Sequence, residues 1–303
     1  LNSKNNNLEF NVKKEEEGLA LSEYLRNVGE LSSRFIKKAI REGRISVNKN
    51  IERLSYKLKV GDIIEAQINR EEEQNIIPEK MELKIIYEDK DIIVVDKPKG
   101  IVVHPTKRHF SGTLSNGLLY YFKEKGENSI VRLVNRLDMD TSGLILVAKN
   151  SYSHMALSRD MVKDEFVKSY LAVVHGNFDV KSGVIDKPIY RVGEGTIKRI
   201  IDDRGQRSIT RFQVIDNYND ADLVKLTLET GRTHQIRVHL SSMGHPIFGD
   251  SIYGEEEVEY IDRQALHAYR LEFPHPTSRE IIKLESQIPE DIASLIKKLT
   301  VVH

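Results

Sequence analysis

The chain has 303 residues, more than a usual single domain, and reads as two units or one large unit with an appendage. Its 46 Lys and Arg balance 46 Asp and Glu, which excludes a pervasive basic polyelectrolyte but leaves localised nucleic-acid contacts open. The lack of Cys removes thiol nucleophiles, thiolate metal sites and disulfides, and no run approaches the roughly 18 apolar residues of a membrane-spanning helix. The opening LNSKNNNLEF lacks the basic and apolar blocks of a secretory signal. Residues 1–17 therefore read as a polar tail, with the cytoplasm as the expected location.

A compact α/β module is expected from Gly18 to Ile68. Leu21 and Leu25 stand four apart in a short amphipathic helix signal, and Ser32 or Ser33 can cap a second helix running from about Arg34 to Arg41. Arg34, Lys37, Lys38 and Arg41 fall at i, i+3, i+4 and i+7, one face of that helix. A basic face can be merely a solvated one. Here it belongs to a stretch with 10 Lys and Arg against 6 Asp and Glu, a local excess able to follow a phosphate backbone. The stretch SSRFIKKAIREGRISVNKN with the later KLKVGDII resembles the small RNA-binding domain named after ribosomal protein S-four. That resemblance implies that the basic helix and the turn after it bind structured RNA.

The acidic run and Pro78 in REEEQNIIPEK predict an exposed linker over residues 69–80. The larger unit, 81–303, opens with two β-rich runs, Lys84–Tyr87 and Ile92–Val95, around an EDKD turn. Helices are expected in TLSNGLLYYF and from Ser151 to about Val162. Further strands are expected in SGLILVAK, SYLAVVHG, SITRFQVI, LVKLTLET and THQIRVHL. The order is no regular βαβ alternation. It fits an α+β fold with a mixed, largely antiparallel sheet.

Gly193–Gly195 lacks the spacing and the strand-to-helix setting of a nucleotide loop, and no Walker sequence occurs. If THQIRVHL is a strand, His234 and His239 point to opposite faces and make a poor metal pair. Asp138 and Asp140 in LDMDTSG could share a strand face and hold a metal, yet the following Thr141, Ser142 and Gly143 favour a turn. No metal or other cofactor is expected.

VNRLDMDTSGLILVAKN, FVKSYLAVVHG and LETGRTHQIRVHLSSMGHPIFGD together resemble the RluA-like pseudouridine synthases, including the branch that modifies large-subunit ribosomal RNA. The likeness extends through DIIVVDKPKGIVVHP, GTLSNGLLYYF and RQALHAYRLEFPHP, most of residues 81–280. It implies an RNA pseudouridine synthase in which Asp138 is the catalytic carboxylate, Tyr170 and Arg237 complete the catalytic set, and Arg136 assists substrate placement or base extrusion.

Some positions keep a second reading. Tyr170 could be simple core packing, and Arg232 could bind phosphate or tie down its turn. His234 could join a local hydrogen-bond network. Lys97, Lys99, Lys107 and Arg108 could line an RNA path or be solvated charge. Asn135 and Met139 depart from the family pattern, which commonly has His and a basic residue there, and this bears on substrate identity. Structured RNA, ribosomal RNA in particular, is the expected partner, and a monomer without an obligate protein partner the expected state. Two other classes stay in view: a catalytically silent RNA-binding or ribosome-assembly factor, and metal-dependent phosphoryl transfer or RNA cleavage.

Overall fold

The computed structural model describes residues 7–67, 76–106, 109–193 and 196–301. Its N-terminal module is a three-stranded antiparallel sheet carrying two helices. The elements are β1 (Asn7–Asn11), α1 (Leu21–Asn27), α2 (Ser33–Arg41), β2 (Ile45–Val47) and β3 (Ile63–Gln67), with strand order β1-β3-β2. Ser32 caps α2, its hydroxyl accepting the Phe35 N–H at 3.2 Å. Leu21, Tyr24 and Leu25 of α1 and Ile36 and Ala39 of α2 close over Ile45 and Ile64.

The polar tail expected over residues 1–17 is corrected from residue 7 onward. Leu8, Phe10 and Val12 alternate with polar neighbours and bury their side chains in the module core, and β1 pairs with β3 from Asn7↔Gln67 to Asn11↔Ile63. A run of Asn ahead of this segment masked a period-two pattern that continues into it. Most of the expected linker, residues 69–75, lies outside the described residues. Its end is tied down: Asn116 Nδ2 donates to the Ile77 carbonyl at 2.8 Å, and the Glu79 N–H donates to the Asn116 carbonyl at 3.1 Å.

The larger unit is built on a ten-stranded sheet. Its first half holds β4 (Ile85–Glu88), β5 (Ile92–Lys97), α3 (Leu114–Glu124), β6 (Arg132–Leu133), β7 (Ser142–Ala148) and α4 (Ser151–Asp160). Then come β8 (Val167–His175), β9 (Ser182–Asp186), a separate hairpin of β10 (Ile189–Arg191) and β11 (Arg199–Ile201), β12 (Ile209–Tyr218) and β13 (Ala221–Leu228). The chain ends with α5 (Gln235–Ser241), β14 (Leu266–Pro274), β15 (Ile281–Glu285) and α6 (Glu290–Val301). Strand order is β4-β5-β7-β14-β8-β13-β12-β9, with β15 on β14 and β6 on β7. The β7–β14 pairing is parallel, and the other pairings among the described strands are antiparallel. The fold is therefore α+β with a mixed, largely antiparallel sheet.

Strand β7 is buried along its whole length, which explains its unbroken apolar run. Ile145 and Val147 pack towards Leu118 and Phe122 of α3, while Leu144 and Leu146 pack towards Leu157 of α4 and Phe273 of β14. β7 meets β14 at Gly143, whose φ is 115° and where a Cβ would lie 2.2 Å from the Ala268 carbonyl oxygen. Only glycine permits both that backbone and that approach. The loop before β7, residues 134–141, is thereby delivered to the seam between the two halves of the sheet. THQIRVHL is corrected from strand to helix. Its apolar residues 236, 238 and 240 alternate, but every residue from Gln235 to Leu240 is buried, so the alternation does not mark a half-exposed strand. Ile236 and Leu240, four apart, share a helix face on the core.

Candidate active site

The loop carrying Asp138 is held from three directions. Asn135 donates to the Leu144 carbonyl at 3.1 Å and accepts the Leu146 N–H at 2.7 Å, so this buried amide stitches the loop to β7. The Thr141 N–H donates to the Asp138 carbonyl at 3.2 Å and closes a turn, as the DTSG composition suggests. From β5, Lys97 Nζ donates to the carbonyls of Pro98 and Met139 at 2.8 and 2.7 Å. Arg263 Nη1 donates to the Asp140 carbonyl at 2.9 Å, and Gln264 Nε2 donates to Thr141 Oγ1 at 3.2 Å. Lys97 is thus buried beneath the loop. Burial lowers its pKa from 10.5 to about 7, a shift that Asp140 opposes and Arg263 reinforces.

Helix α5 supplies the facing wall. Gln235 accepts the Arg232 N–H at 3.0 Å and donates to the Ile209 carbonyl at 3.0 Å, fixing the turn to β12. Arg237, 5 % exposed, projects into the seam. Its Nε and Nη2 each contact an oxygen of the fully buried Asp250 at 2.7 Å, and its Nη1 donates to Asp138 Oδ2 at 3.1 Å. Burial works against the guanidinium charge, but Asp250 and Asp138 outweigh it and raise its pKa. The bidentate pair fixes the plane of Arg237 and leaves one N–H aimed at Asp138. Strand β8 brings Lys168 and Tyr170 to the same side, two residues apart. Burial raises the Tyr170 pKa, and the Asp138 charge adds to it, so its phenol stays protonated at neutral pH.

These groups line one cavity of about 560 Å³, floored by apolar side chains including Val103, Leu228 and Leu266. Asp138, Tyr170, Arg237, Arg136, Arg232 and His234 all border it. Arg136 and Arg232 are exposed at its rim. Residues Arg34, Lys37, Lys38 and Arg41 sit apart from it on α2 of the N-terminal module, where Lys37 and Arg41 are exposed. Lys99 pairs with Asp262 at 2.5 Å and Asp291 at 3.4 Å. Lys107 and Arg108 lie outside the described residues. His239 is a core histidine, bonded to Thr210 Oγ1 at 2.9 Å and the Lys187 carbonyl at 3.0 Å.

Asp250, Tyr253 and the buried position of Lys97 escaped the sequence reading. The GD of FGDSIYG carries the Asp250 signal, but nothing local says that this acid faces an arginine thirteen residues away.

Among the described residues, the group with the spacing of metal ligands is Asp89, Asp91 and His275, not the Asp138 turn. Its atoms are already engaged. His275 Nε2 meets Asp89 Oδ2 at 2.9 Å, while His275 Nδ1 accepts the N–H groups of Thr277 and Ser278. Asp91 accepts from Thr277 Oγ1 at 2.7 Å and Asn150 Nδ2 at 3.1 Å. This cluster reads as a polar clamp joining the β4–β5 turn, α4 and the end of β14.

A carboxylate held by a buried guanidinium lines a cavity of the size that takes a small-molecule or nucleoside ligand. The sequence matches the RNA pseudouridylate synthase family over residues 91–242 and the S4 domain over residues 21–64. It is 37% identical over 298 residues to YlyB of Bacillus subtilis (strain 168), described as an uncharacterized RNA pseudouridine synthase, covering 97% of this chain and 98% of that one. It is 34% identical over 307 residues to ribosomal large subunit pseudouridine synthase D of Haemophilus influenzae, covering 96% and 94%. Among solved structures, human RNA pseudouridylate synthase domain containing 1 superposes with a TM-score of 0.56 at 29% identity, over 68% of this chain and 83% of that one. The chain belongs to the RNA pseudouridylate synthase family and is an RNA pseudouridine synthase, an isomerase with an N-terminal S4 domain.

Proposed function

We propose that the protein converts specific uridines of large-subunit ribosomal RNA to pseudouridine in the cytoplasm, acting as a monomer with Asp138 as the catalytic carboxylate. The observation that carries this reading is the Asp138–Arg237–Asp250 chain, which runs from the cavity wall into the core. It holds the Asp138 carboxylate in a fixed orientation on the cavity wall, open to a ligand. The similarity to a ribosomal large subunit pseudouridine synthase over nearly the whole chain supports the substrate class.

The reaction breaks the bond between uracil N1 and ribose C1′, turns the base and joins C5 to C1′. Atoms and electrons are conserved, so the chemistry requires neither a redox cofactor nor a nucleotide. Asp138 either bonds C1′ or removes the C2′ proton and later returns it. Tyr170 packs its ring on uracil, and Arg237 holds the carboxylate. The exposed Arg136 occupies the space left by the extruded uridine, since a stacked base cannot enter the cavity. Arg232 meets a phosphate at the rim, and Arg34, Lys37, Lys38 and Arg41 follow the RNA backbone further away.

The test is Asp138→Asn, near-isosteric and still able to hydrogen-bond in its turn. Carbodiimide mapping of ribosomal RNA from deleted and complemented cells locates the target, and single-turnover assays on that RNA give the rate. The variant is expected to lose about a thousandfold or more in rate while keeping its RNA affinity, as befits an interaction used only in bond rearrangement. Near-normal isomerisation would overturn the assignment.

A further inference from the structure

His234 enters α5 through left-handed backbone, with φ 57° and ψ 20°, and turns its ring into the cavity wall. Behind it stands Tyr253, edge-on at 5.6 Å between ring centroids. The Tyr253 hydroxyl accepts the Arg199 N–H at 2.8 Å and lies 2.8 Å from His234 Nδ1. With one lone pair engaged by Arg199, the hydroxyl is free to donate its proton to Nδ1. A neutral imidazole that accepts at Nδ1 carries its hydrogen on Nε2. His234 stays neutral because burial lowers its pKa. The Asp138 and Asp250 carboxylates oppose that shift, and Arg237 and Arg199 reinforce it.

His234 Nε2 lies 3.8 Å from Asp138 Oδ2, the same oxygen that Arg237 Nη1 contacts at 3.1 Å. Oδ1 takes no protein hydrogen bond among the described residues. An oxygen approached by two donors is the less reactive of a pair, and the other is left to the ligand.

Resting on the proposed function, we infer that Tyr253 and His234 are positioning residues that act with Arg237 to hold Oδ2 of Asp138, so that Oδ1 is the oxygen presented to the ribose. The 3.8 Å contact tightens to a hydrogen bond once the carboxylate turns towards substrate, a tightening common between resting and reacting sites. Arg237 supplies the charge and His234 supplies the direction.

Two isosteric replacements separate this role from a structural one. The amide nitrogen of His234→Gln reaches the position of Nε2, whereas that of His234→Asn reaches only the position of Nδ1. As a backbone cap, the site favours Asn, which tolerates left-handed φ better than Gln. A purely structural His234 therefore ranks Asn above Gln, and a positioning His234 ranks Gln above Asn.

The experiment uses the full chain and large-subunit ribosomal RNA isolated from cells lacking the gene. It records single-turnover isomerisation, RNA affinity and melting temperature together. His234→Gln is expected to run at least about tenfold faster than His234→Asn, the worth of one charge-assisted hydrogen bond, at equal RNA affinity. Tyr253→Phe keeps the ring beneath Arg237 and loses only the hydroxyl. It is expected to slow the wild type but to add nothing in the His234→Asn background. His234→Asn matching or outrunning His234→Gln would overturn the inference, as would an additive Tyr253→Phe penalty. Should His234→Gln melt below the assay temperature, the Tyr253→Phe double-mutant comparison decides alone. A wild type that leaves every uridine unchanged overturns the proposed function as well, whereas a converting wild type with the reversed ranking overturns only this inference.

Discussion

Lys97 is 1 % exposed, a cation placed where most proteins put an apolar side chain. Its two contacts are to neutral carbonyls, and one of them, Met139, belongs to the turn that follows Asp138. The pKa of about 7, down from 10.5, makes this a stability statement with a definite sign. Below pH 7 both the folded and unfolded chains hold the proton, and the cost of burying charge is present in full. Between pH 7 and 10.5 the folded chain releases the proton while the unfolded chain keeps it, so stability rises with pH. Urea unfolding of the wild type and Lys97→Met from pH 6.5 to 9.5 should show the wild type gaining on the variant, by at most about 1.4 kcal/mol per pH unit. A pH-independent difference would mean that Lys97 keeps its charge when folded.

Among the elements, the seam of β7 and β14 is the most demanding. Gly143→Ala would need a left-handed backbone in a strand and a Cβ 2.2 Å from the Ala268 carbonyl oxygen, so the strands must part. The expected cost is about 3 kcal/mol or more in urea unfolding, with a fall in isomerisation because the Asp138 loop leads directly into this strand. An unchanged unfolding midpoint would show that the seam can shift freely.

The same region shows what the sequence makes legible. Helices α3 and α4 carry Thr and Asn caps just ahead of their apolar residues, and both were expected from the sequence. Helix α5 was hidden because every residue from Gln235 to Leu240 is buried, and a period cannot be read where no face is exposed. Asp138, Tyr170 and Arg237 lie inside contiguous motifs and could be named from them. Lys97 and Met139 are forty-two residues apart and meet only because β5 and β7 pair, which no local pattern records.

At the scale of the molecule, the S4 domain is seated against the catalytic unit. Tyr152 of α4, 7 % exposed, is part of the same apolar cluster as the S4-domain core, with Met155 packed beside it. Arg159 of α4 pairs with Glu30 at 2.7 Å. Removing residues 1–68 uncovers this side of α4. The truncated chain should lose about 2 kcal/mol, the worth of exposing one large side chain, and melt below the full-length protein. Its RNA affinity should fall as well, with the slope of log affinity against log salt shrinking by about 3 if the four cations of α2 contact phosphates. Unchanged melting would place the seat of the domain elsewhere, and an unchanged salt slope would remove α2 from the RNA path.

Helix α4 therefore touches two things at once. Near its start Tyr152 is packed in the core of the S4 domain, and at its other end Met161 lines the cavity beside Asp138. Ten helical residues span about 15 Å, a length set by the hydrogen-bonded rise of the helix. If α2 grips phosphate as proposed, the spacing between that grip and the cavity is set by a strut rather than a tether. A substrate chosen by such a strut is chosen by dimension. On that proposal, an RNA whose gripped stem and extruded uridine stand the right distance apart should isomerise faster in single-turnover assays than one with the identical local sequence on a longer or shorter stem.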